Sequence, residues 1–183
     1  MNAPILASQW PKARYSVAQI WGLIERGIIN HEAKFELLDG EIRPVSPKGP
    51  LHEGIRVLIN RWLATWPKRF DVLAETTLYL DESSFLEPDY VIFPADLPIE
   101  ELAPSKVALA IEVAHSSWEY DTTEKAQRYA EHGVPEYWAI DAEHKVIRVH
   151  RGPSASGWSD VQDVAAGGVV SPLCASEVAF SLL

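Results

Sequence analysis

Apolar residues recur at helical spacing in three stretches of the chain, each bounded by residues that begin or end helices. The first, SVAQIWGLIERG, opens on a capping box and ends at Gly27. The second, HEGIRVLINRWLATW, keeps one apolar face until Pro67 stops it. The third, YDTTEKAQRYAEHG, has Asp121 or Thr122 as its N-cap and Gly133 at its end. The pattern predicts a helix in each stretch.

Alternating and unbroken apolar runs predict the strands. The segment KFELLDGEIRPVS surrounds Asp39-Gly40, a dipeptide typical of hairpin turns. FDVLAETTLYL and EPDYVIF are predicted strands separated by a polar connection, DESSFL. KVALAIEVA is an unbroken apolar run, the pattern of a central strand covered on both faces. EYWAID and KVIRVHR are predicted strands around a turn at residues 142–144, and beyond Arg151 the pattern thins into loop, with VV and VAF as edge strands.

This order of elements predicts an α/β fold in which helices cover both faces of a mixed β-sheet. The 183 residues suit one domain over residues 15–183, after a flexible N-terminal segment of residues 1–14. The chain starts without the basic and apolar regions of a signal peptide, and no stretch stays apolar over the roughly 18 residues that a membrane span needs. Cys174 is its one cysteine and forms no internal disulfide, so we expect a cytoplasmic protein without membrane contact.

The chain is acidic, with a formal net charge of -10 and a pI near 5.0. This balance argues against a protein that coats nucleic acid non-specifically, because such proteins present a basic face. It does not exclude an enzyme that acts on nucleic acid, since basic residues can be concentrated locally. Arg61, Lys68 and Arg69 in NRWLATWPKRF form one such island.

Two carboxylates stand in predicted strands, Asp89 in EPDYVIF and Glu112 in KVALAIEVA. If these strands are neighbours, both side chains converge at one end of the sheet. Mg²⁺ is usually held by one or two carboxylates, waters and phosphate oxygens, and the Val113 carbonyl is a natural further donor. Structural interpretations stay open for both residues, because Pro-Asp commonly begins a turn or strand and a buried glutamate can pair with a structural Arg or Lys.

Lys125 lies one helical turn after Asp121, on the helix that follows the Glu112 strand. It forms either a solvated i,i+4 pair with Asp121 or an ion pair with Glu112 across the end of the sheet. An ionised carboxylate among apolar neighbours is costly unless a positive charge meets it, which favours the second arrangement. The pattern alone does not decide between them.

Five segments together resemble the Uma-type restriction endonuclease family of the PD-(D/E)XK nuclease superfamily: FELLDGEI, SPKGPLH, EPDYVIF, AIEVAHSS and DTTEKAQRYAEHGVPEYWAID. The resemblance extends over residues 15–151. It implies a restriction-endonuclease-like core, a mixed β-sheet flanked by α-helices, with an N-terminal helix and β-hairpin. It also implies that Asp89 is the aspartate of the PD element and Glu112 the acid of the (D/E)XK element, both ligands of Mg²⁺ or Mn²⁺.

The resemblance assigns further residues around this pair. Ala114 stands where the superfamily has its lysine, and in this family the lysine is on the next helix, which makes it Lys125 here. Glu36 and His52 match two further catalytic positions. Three residues are accessory candidates: His115, Ser117 and Asp121.

The two histidines have weaker assignments. Many relatives have EVLSPS where this chain has EVAHSS, so His115 replaces a small polar residue and Ser117 is the matching serine. His115 is either a metal ligand or base, or a solvated loop residue. His52 is either part of the site or an ordinary residue at the start of a helix.

The function implied by the resemblance is metal-dependent endonuclease activity on the phosphodiester bonds of DNA. We expect a homodimer, because the Tyr and Trp of GVPEYW are predicted to be exposed and many nucleases cut two strands. Two other interpretations stay open. One is a non-catalytic binding or interaction module that keeps the fold, which the net charge of -10 favours. The other is a metal-dependent hydrolase of a different phosphate ester.

Overall fold

The computed structural model of the protein describes residues 13–45 and 47–182. Residues 1–12 of the predicted flexible segment lie outside this range. Helix α1 spans Val17–Glu25 and helix α2 spans Pro50–Leu63. A third helical segment, which we call the crossover helix, consists of α3 (Trp118–Tyr120), a π-helical turn (Asp121–Lys125) and α4 (Ala126–Glu131). The strands are β1 (Phe35–Leu38), β2 (Glu41–Pro44), β3 (Phe70–Ala74), β4 (Leu78–Asp81), β5 (Ser84–Leu86), β6 (Tyr90–Pro94), β7 (Leu109–Ala114), β8 (Glu136–Asp141), β9 (Val146–Ser154) and β10 (Gly157–Val164).

Helix α1 begins as its sequence predicts. The Ser16 hydroxyl accepts a hydrogen bond from the Gln19 N–H at 3.2 Å, and the Gln19 side chain accepts one from the Ser16 N–H at 2.8 Å. This reciprocal capping box satisfies two backbone donors that would otherwise lack partners.

Six strands form the main sheet, in the order β10-β9-β8-β7-β6-β3. Strands β7 and β8 are parallel, and every other neighbouring pair in this sheet is antiparallel. A parallel pair needs a long crossover connection, and the crossover helix supplies it between β7 and β8. The strand that carries Glu112 and the helix that carries Lys125 therefore belong to one βαβ unit.

Four strands form a smaller antiparallel sheet in the order β2-β1-β5-β4. The predicted hairpin joins β1 to β2 through Asp39 and Gly40, whose φ angles are 52° and 78°. Two successive positive φ angles are what a tight hairpin turn requires. Any side chain on Gly40 would also meet the Tyr15 backbone, because a Cβ would lie 2.9 Å from that carbonyl oxygen.

The main sheet is covered on both faces, as predicted. On one face Ile55, Ile59 and Trp62 of α2 pack with Ile111 and Val113 of β7. On the other face Ala126 and Tyr129 of α4 pack with Ala110 of β7, Tyr137 of β8 and Leu86 of the small sheet. Alternate residues of β7 thus face opposite layers, and Glu112 points towards the crossover helix, on the same face as Ala110.

Three local predictions are wrong. The third helix begins at Trp118 and not after Asp121 or Thr122, so both of these residues lie inside it. The FDVLAETTLYL stretch is two strands in different sheets, separated where Glu75 has a φ of 53°. The DESSFL segment, predicted to be a polar connection, contains strand β5. Ser84 can be buried in this strand because its hydroxyl accepts a hydrogen bond from the Asp39 N–H at 3.0 Å.

The region beyond Arg151 contains far more structure than its pattern predicts. Strand β9 continues to Ser154, and β10 is an eight-residue edge strand. The predicted VV and VAF strands amount to a single antiparallel bridge between Val170 and Phe180. Four residues that follow Val170 complete the core beneath α2: Ala175, Val178, Phe180 and Leu182.

Within residues 13–45 and 47–182, every helix is too short or too polar to cross a lipid bilayer.

His150 makes the stability of the fold depend on pH. Its ring is buried between Tyr137 and Trp158, at centroid distances of 5.1 and 5.6 Å, and its Nδ1 lies 3.2 Å from the Tyr137 carbonyl oxygen. Burial lowers the pKa of His150 from 6.5 to about 4, although the Tyr137 carbonyl opposes the shift. Between these values the unfolded chain binds a proton that the folded chain does not, so stability falls as the pH drops.

We expect His150 alone to make the free energy of unfolding about 2 kcal/mol lower near pH 5 than near pH 8. Urea unfolding of the wild type and of His150→Phe at both pH values measures this contribution, because Phe keeps the ring contacts but cannot titrate. His31→Gln, at an exposed histidine, is the matched control. An equal loss of stability at low pH in the wild type and His150→Phe would contradict the assignment.

Candidate active site

A cleft of about 420 Å³ lies between the main sheet, the crossover helix and the loop before α2. It brings together every residue that the sequence analysis singled out as catalytic, metal-binding or accessory. These residues are Glu36, His52, Asp89, Glu112, Val113, His115, Ser117, Asp121 and Lys125. The cleft is therefore the candidate site, and its geometry decides what each group can do.

Asp89 and Glu112 lie side by side because β6 and β7 are neighbours. The antiparallel register pairs Tyr90 with Ile111, so the preceding residue of one strand, Asp89, faces the following residue of the other, Glu112. The Glu112 side chain faces the crossover helix, whereas the side-chain partners of Asp89 come from α2 and the loop before it, and each acid is only 4% exposed. The condition that the sequence left open, that these strands are adjacent, is met.

The Asp89 carboxylate is held by three donors. Its Oδ2 accepts the Val113 N–H at 2.8 Å and lies 3.2 Å from His52 Nε2. Its Oδ1 accepts Lys48 Nζ at 2.7 Å. Burial by itself would raise the pKa of Asp89, but the hydrogen bonds from His52, Lys48 and Val113 lower it to about 2. Asp89 is therefore ionised at neutral pH.

Lys125 is buried at the centre of a group of acids. Its Nζ lies 2.7 Å from Glu112 Oε1, 2.7 Å from Glu36 Oε1 and 3.5 Å from Asp121 Oδ1. The sequence left open whether Lys125 pairs with Asp121 or with Glu112, and it contacts both from a buried position. Burial alone would lower the pKa of Lys125, but these three carboxylates raise it well above its usual value, so the ammonium keeps its proton.

The negative charge around Lys125 exceeds what one ammonium can balance. Burial raises the pKa of Glu112 well above its usual value, and the charges of Asp121, Asp89 and Glu36 add to the effect while Lys125 opposes it. Burial likewise raises the pKa of Asp121. A cluster of this kind takes up either protons or a further cation.

Two tyrosines and a serine donate hydrogen bonds to these acids. Tyr129 donates to Glu112 Oε1 at 3.1 Å, and Tyr120 donates to Glu36 Oε2 at 3.3 Å. The Ser117 hydroxyl donates to Asp121 Oδ2 at 2.6 Å. These bonds fix the acids that surround Lys125. His115, by contrast, is exposed at the rim of the cleft.

The π-helical turn of the crossover helix carries both Asp121 and Lys125. The side chains of Thr122 and Thr123 donate to the carbonyls of Trp118 and Glu119, four residues earlier, at 2.7 and 2.5 Å. In a π turn the backbone hydrogen bonds no longer follow the α-helical i to i−4 pattern. The two threonine hydroxyls therefore supply hydrogen-bond donors to the Trp118 and Glu119 carbonyls at the start of the turn. Such turns are frequent at functional sites. Neither the π turn nor its position was predicted from the sequence.

Lys48 and Glu75 are site residues that the sequence analysis missed. Lys48 Nζ lies 3.1 Å from Glu75 Oε1 as well as 2.7 Å from Asp89, and Arg56 contacts the same Glu75 oxygen at 2.7 Å. Glu75 adopts the left-handed backbone conformation, which is uncommon for residues other than glycine and concentrates at functional sites. The one sequence signal for Lys48 is its place in the SPKGPLH segment, four residues before His52. The AETTL segment contains no feature that distinguishes Glu75 as a site residue.

The donor set fits a divalent cation held with few protein ligands. Among the described residues, no group of three or more His, Cys, Asp or Glu side chains is arranged to hold a metal ion. Mg²⁺ needs only one or two carboxylates when waters and phosphate oxygens complete its shell. Asp89 and Glu112 supply that pair, and the surplus of negative charge around them favours a cation. Val113, the predicted carbonyl donor, lines the same cleft.

A protein-family comparison decides the family. The model of the Uma2 family, described as "Putative restriction endonuclease", matches residues 23–182. The chain belongs to the Uma2 family. The family predicted from the five sequence segments is thereby confirmed.

The fold of this Uma2 protein agrees with a solved structure. A crystal structure of a putative nuclease belonging to DUF820 from Anabaena variabilis matches with a TM-score of 0.67 and 20% sequence identity, covering 91% of this chain and 94% of that chain. No curated protein matches the chain. The restriction-endonuclease-like α/β fold predicted for this Uma2 protein is confirmed, with the difference that a second, smaller sheet accompanies the main one.

Proposed function

We propose that this protein is a metal-dependent endonuclease that hydrolyses phosphodiester bonds in DNA. The observation that carries the proposal is the placement of Asp89 and Glu112 side by side in a cleft, with Lys125 Nζ 2.7 Å from Glu112. Membership of the Uma2 family supports nuclease chemistry. Mg²⁺ or Mn²⁺ is the proposed cofactor, with Asp89, Glu112 and the Val113 carbonyl as its ligands. When bound, a divalent cation supplies Lewis-acid polarisation of a phosphate ester and increases the acidity of water.

Lys125 serves as a cation and not as a base in this proposal. Its three acidic neighbours raise the pKa of Lys125 and so favour the protonated Nζ, which suits a cationic role. A fixed, buried positive charge stabilises the negative charge that develops on a phosphate during hydrolysis. Glu36 keeps Lys125 in position.

His52 is a positioning residue for Asp89. Its Nε2 lies 3.2 Å from Asp89 Oδ2, while its Nδ1 lies 3.3 Å from Glu53 Oε1. A ring held between two carboxylates restricts the rotation of the one that would bind the cation. Ser117 and Asp121 support the crossover helix beside Lys125, and we assign His115 no role in the reaction.

The proposal extends to a homodimer, because two copies would bring one site to each strand of a duplex. The prediction of an exposed Tyr and Trp in GVPEYW is wrong, since Tyr137 and Trp138 are fully buried beneath the sheet's covering layers, so these residues do not support the dimer. The net charge of -10 is the observation that favours the rival interpretation, a binding module without catalysis. Hydrolysis of another phosphate ester is the second rival. Both are outcomes of the test below.

The test is cleavage of supercoiled plasmid DNA with Mg²⁺ or Mn²⁺, alongside RNA, nucleotides and a simple phosphate ester. We expect nicked and linear plasmid from the wild type and background activity from Asp89→Asn and Glu112→Gln, because each substitution removes a charge that would hold the cation. Asp71→Asn, at an exposed residue of β3 in the same sheet, is the matched control and should cleave normally. Cleavage that survives both site substitutions would overturn the assignment. Hydrolysis of none of these substrates by a folded wild type would support the binding module, and hydrolysis of the simple ester alone would support the second rival.

A further inference from the structure

Lys48 bridges two carboxylates at the mouth of the cleft. Its Nζ lies 2.7 Å from Asp89 Oδ1 and 3.1 Å from Glu75 Oε1. Lys48 belongs to the loop between β2 and α2, and its side chain is 28% exposed, whereas the side chain of Asp89 is 6% exposed. Lys48 therefore reaches a buried carboxylate from a position that is open to solvent.

Lys48 contacts Asp89 Oδ1, which is the oxygen that a divalent metal cation would bind. Asp89 Oδ2 already has two partners, the Val113 N–H at 2.8 Å and His52 Nε2 at 3.2 Å. Because each carboxylate oxygen has two lone pairs, these contacts fill Oδ2 and leave Oδ1 for further binding. The Lys48 ammonium and a divalent cation would thus bind the same oxygen.

Glu75 provides a second carboxylate to which the Lys48 ammonium binds. Its carboxylate contacts both Lys48 and Arg56, and its N–H donates to the Asp89 backbone carbonyl at 3.1 Å. Arg56 holds Glu75 from the α2 side at 2.7 Å, so the Glu75 carboxylate stays in place when Lys48 moves. A lysine stem with four carbons allows the ammonium to leave Asp89 without leaving Glu75.

We infer that Lys48 is an internal cation that competes with the divalent metal for Asp89 Oδ1 and withdraws to Glu75 when the metal binds. The inference rests on the proposed function, because it takes Asp89 as a metal ligand. Lys48 neutralises Asp89 until a cation arrives, so the buried carboxylate always has a positive partner. The cost is weaker metal binding, since the metal has to displace an ammonium that is already paired.

The test is isothermal titration of the full chain with Mn²⁺, at low ionic strength and neutral pH. We expect Lys48→Met to bind Mn²⁺ about tenfold more tightly than the wild type, because repulsion from an adjacent unit charge is lost even after screening by water. Lys48→Arg keeps the charge and should bind within about twofold of the wild type. Lys34→Met, at another lysine of the same cleft, is the matched control and should change the affinity far less than Lys48→Met.

The outcomes separate this inference from the proposed function. Adding Asp89→Asn to Lys48→Met should remove the gain, which places the effect at Asp89. Equal or weaker Mn²⁺ binding by a folded Lys48→Met protein overturns the competition and leaves the proposed function standing. Absence of Mn²⁺ binding by the wild type and every variant overturns the proposed function itself. If circular dichroism shows that Lys48→Met is unfolded, Lys48→Gln, which also lacks the charge, takes its place.

Discussion

Lys125→Met is expected to abolish most of the proposed nuclease activity and to destabilise the fold in one step. The substitution removes the buried ammonium that contacts Glu36, Glu112 and Asp121 and keeps most of the side-chain volume. Breaking a buried ion pair from one side leaves uncompensated charge, so we expect the free energy of unfolding to fall by about 3 kcal/mol. We expect plasmid cleavage to fall by about 10²–10³-fold, the usual effect of losing one preorganised electrostatic group.

Urea unfolding and the plasmid assay measure the two effects of Lys125→Met separately. Lys106→Met is the control for stability, because it breaks an exposed 2.9 Å pair with Glu101 and should cost less than about 1 kcal/mol. Adding Glu36→Gln to Lys125→Met removes one unbalanced charge and should recover part of the lost stability. Full cleavage by a destabilised Lys125→Met protein would show that Lys125 is a structural counter-ion only.

Phe180→Ala is expected to cost about 3 kcal/mol of stability, the range for removing a buried aromatic ring. Phe180 is 5% exposed, and its ring centroid lies 4.8 Å from that of Trp62 and 6.4 Å from that of Trp138. Its backbone also pairs with Val170 in both directions, at 2.8 and 2.9 Å. The segment that contains it therefore closes the core beneath α2.

Urea unfolding of Phe180→Ala measures this cost, and Leu173→Ala is its matched control. Leu173 is an apolar residue of the same segment but is 59% exposed, so its loss should change stability by less than about 0.5 kcal/mol. Similar, small effects of both substitutions would mean that the C-terminal segment contributes little to the core in solution.

The sequence predicts the parts of this fold in which one pattern dominates. The unbroken apolar run of β7 indicates a central strand, and Asp39-Gly40 indicates a hairpin, because each signal depends on neighbouring residues only. Strand β10 escapes prediction, since an edge strand is held by backbone bonds and its exposed side chains are mostly polar. Phe180 escapes because its burial depends on Trp62 and Trp138, which lie far away in the chain.

The same distinction applies to the candidate site. Glu112 is predictable because a carboxylate within an apolar strand is conspicuous in one sequence, whereas Asp89, just before β6, is singled out by the resemblance of EPDYVIF. For Lys125 the sequence predicts an ion pair but not its partner, since helical spacing alone does not decide between Asp121 and Glu112. The contact of Lys48 with Asp89 joins residues 41 positions apart through a loop, and no periodic pattern encodes such a contact.

The stacked indoles of Trp62 and Trp138 provide an internal optical reporter. Their ring centroids are 5.5 Å apart and their planes differ by 18°, while Phe180 lies against both rings. Two indoles this close couple electronically and produce a paired band in circular dichroism that neither produces alone. The band depends on the packing of α2 against β8, so its disappearance should report loss of that packing without a label.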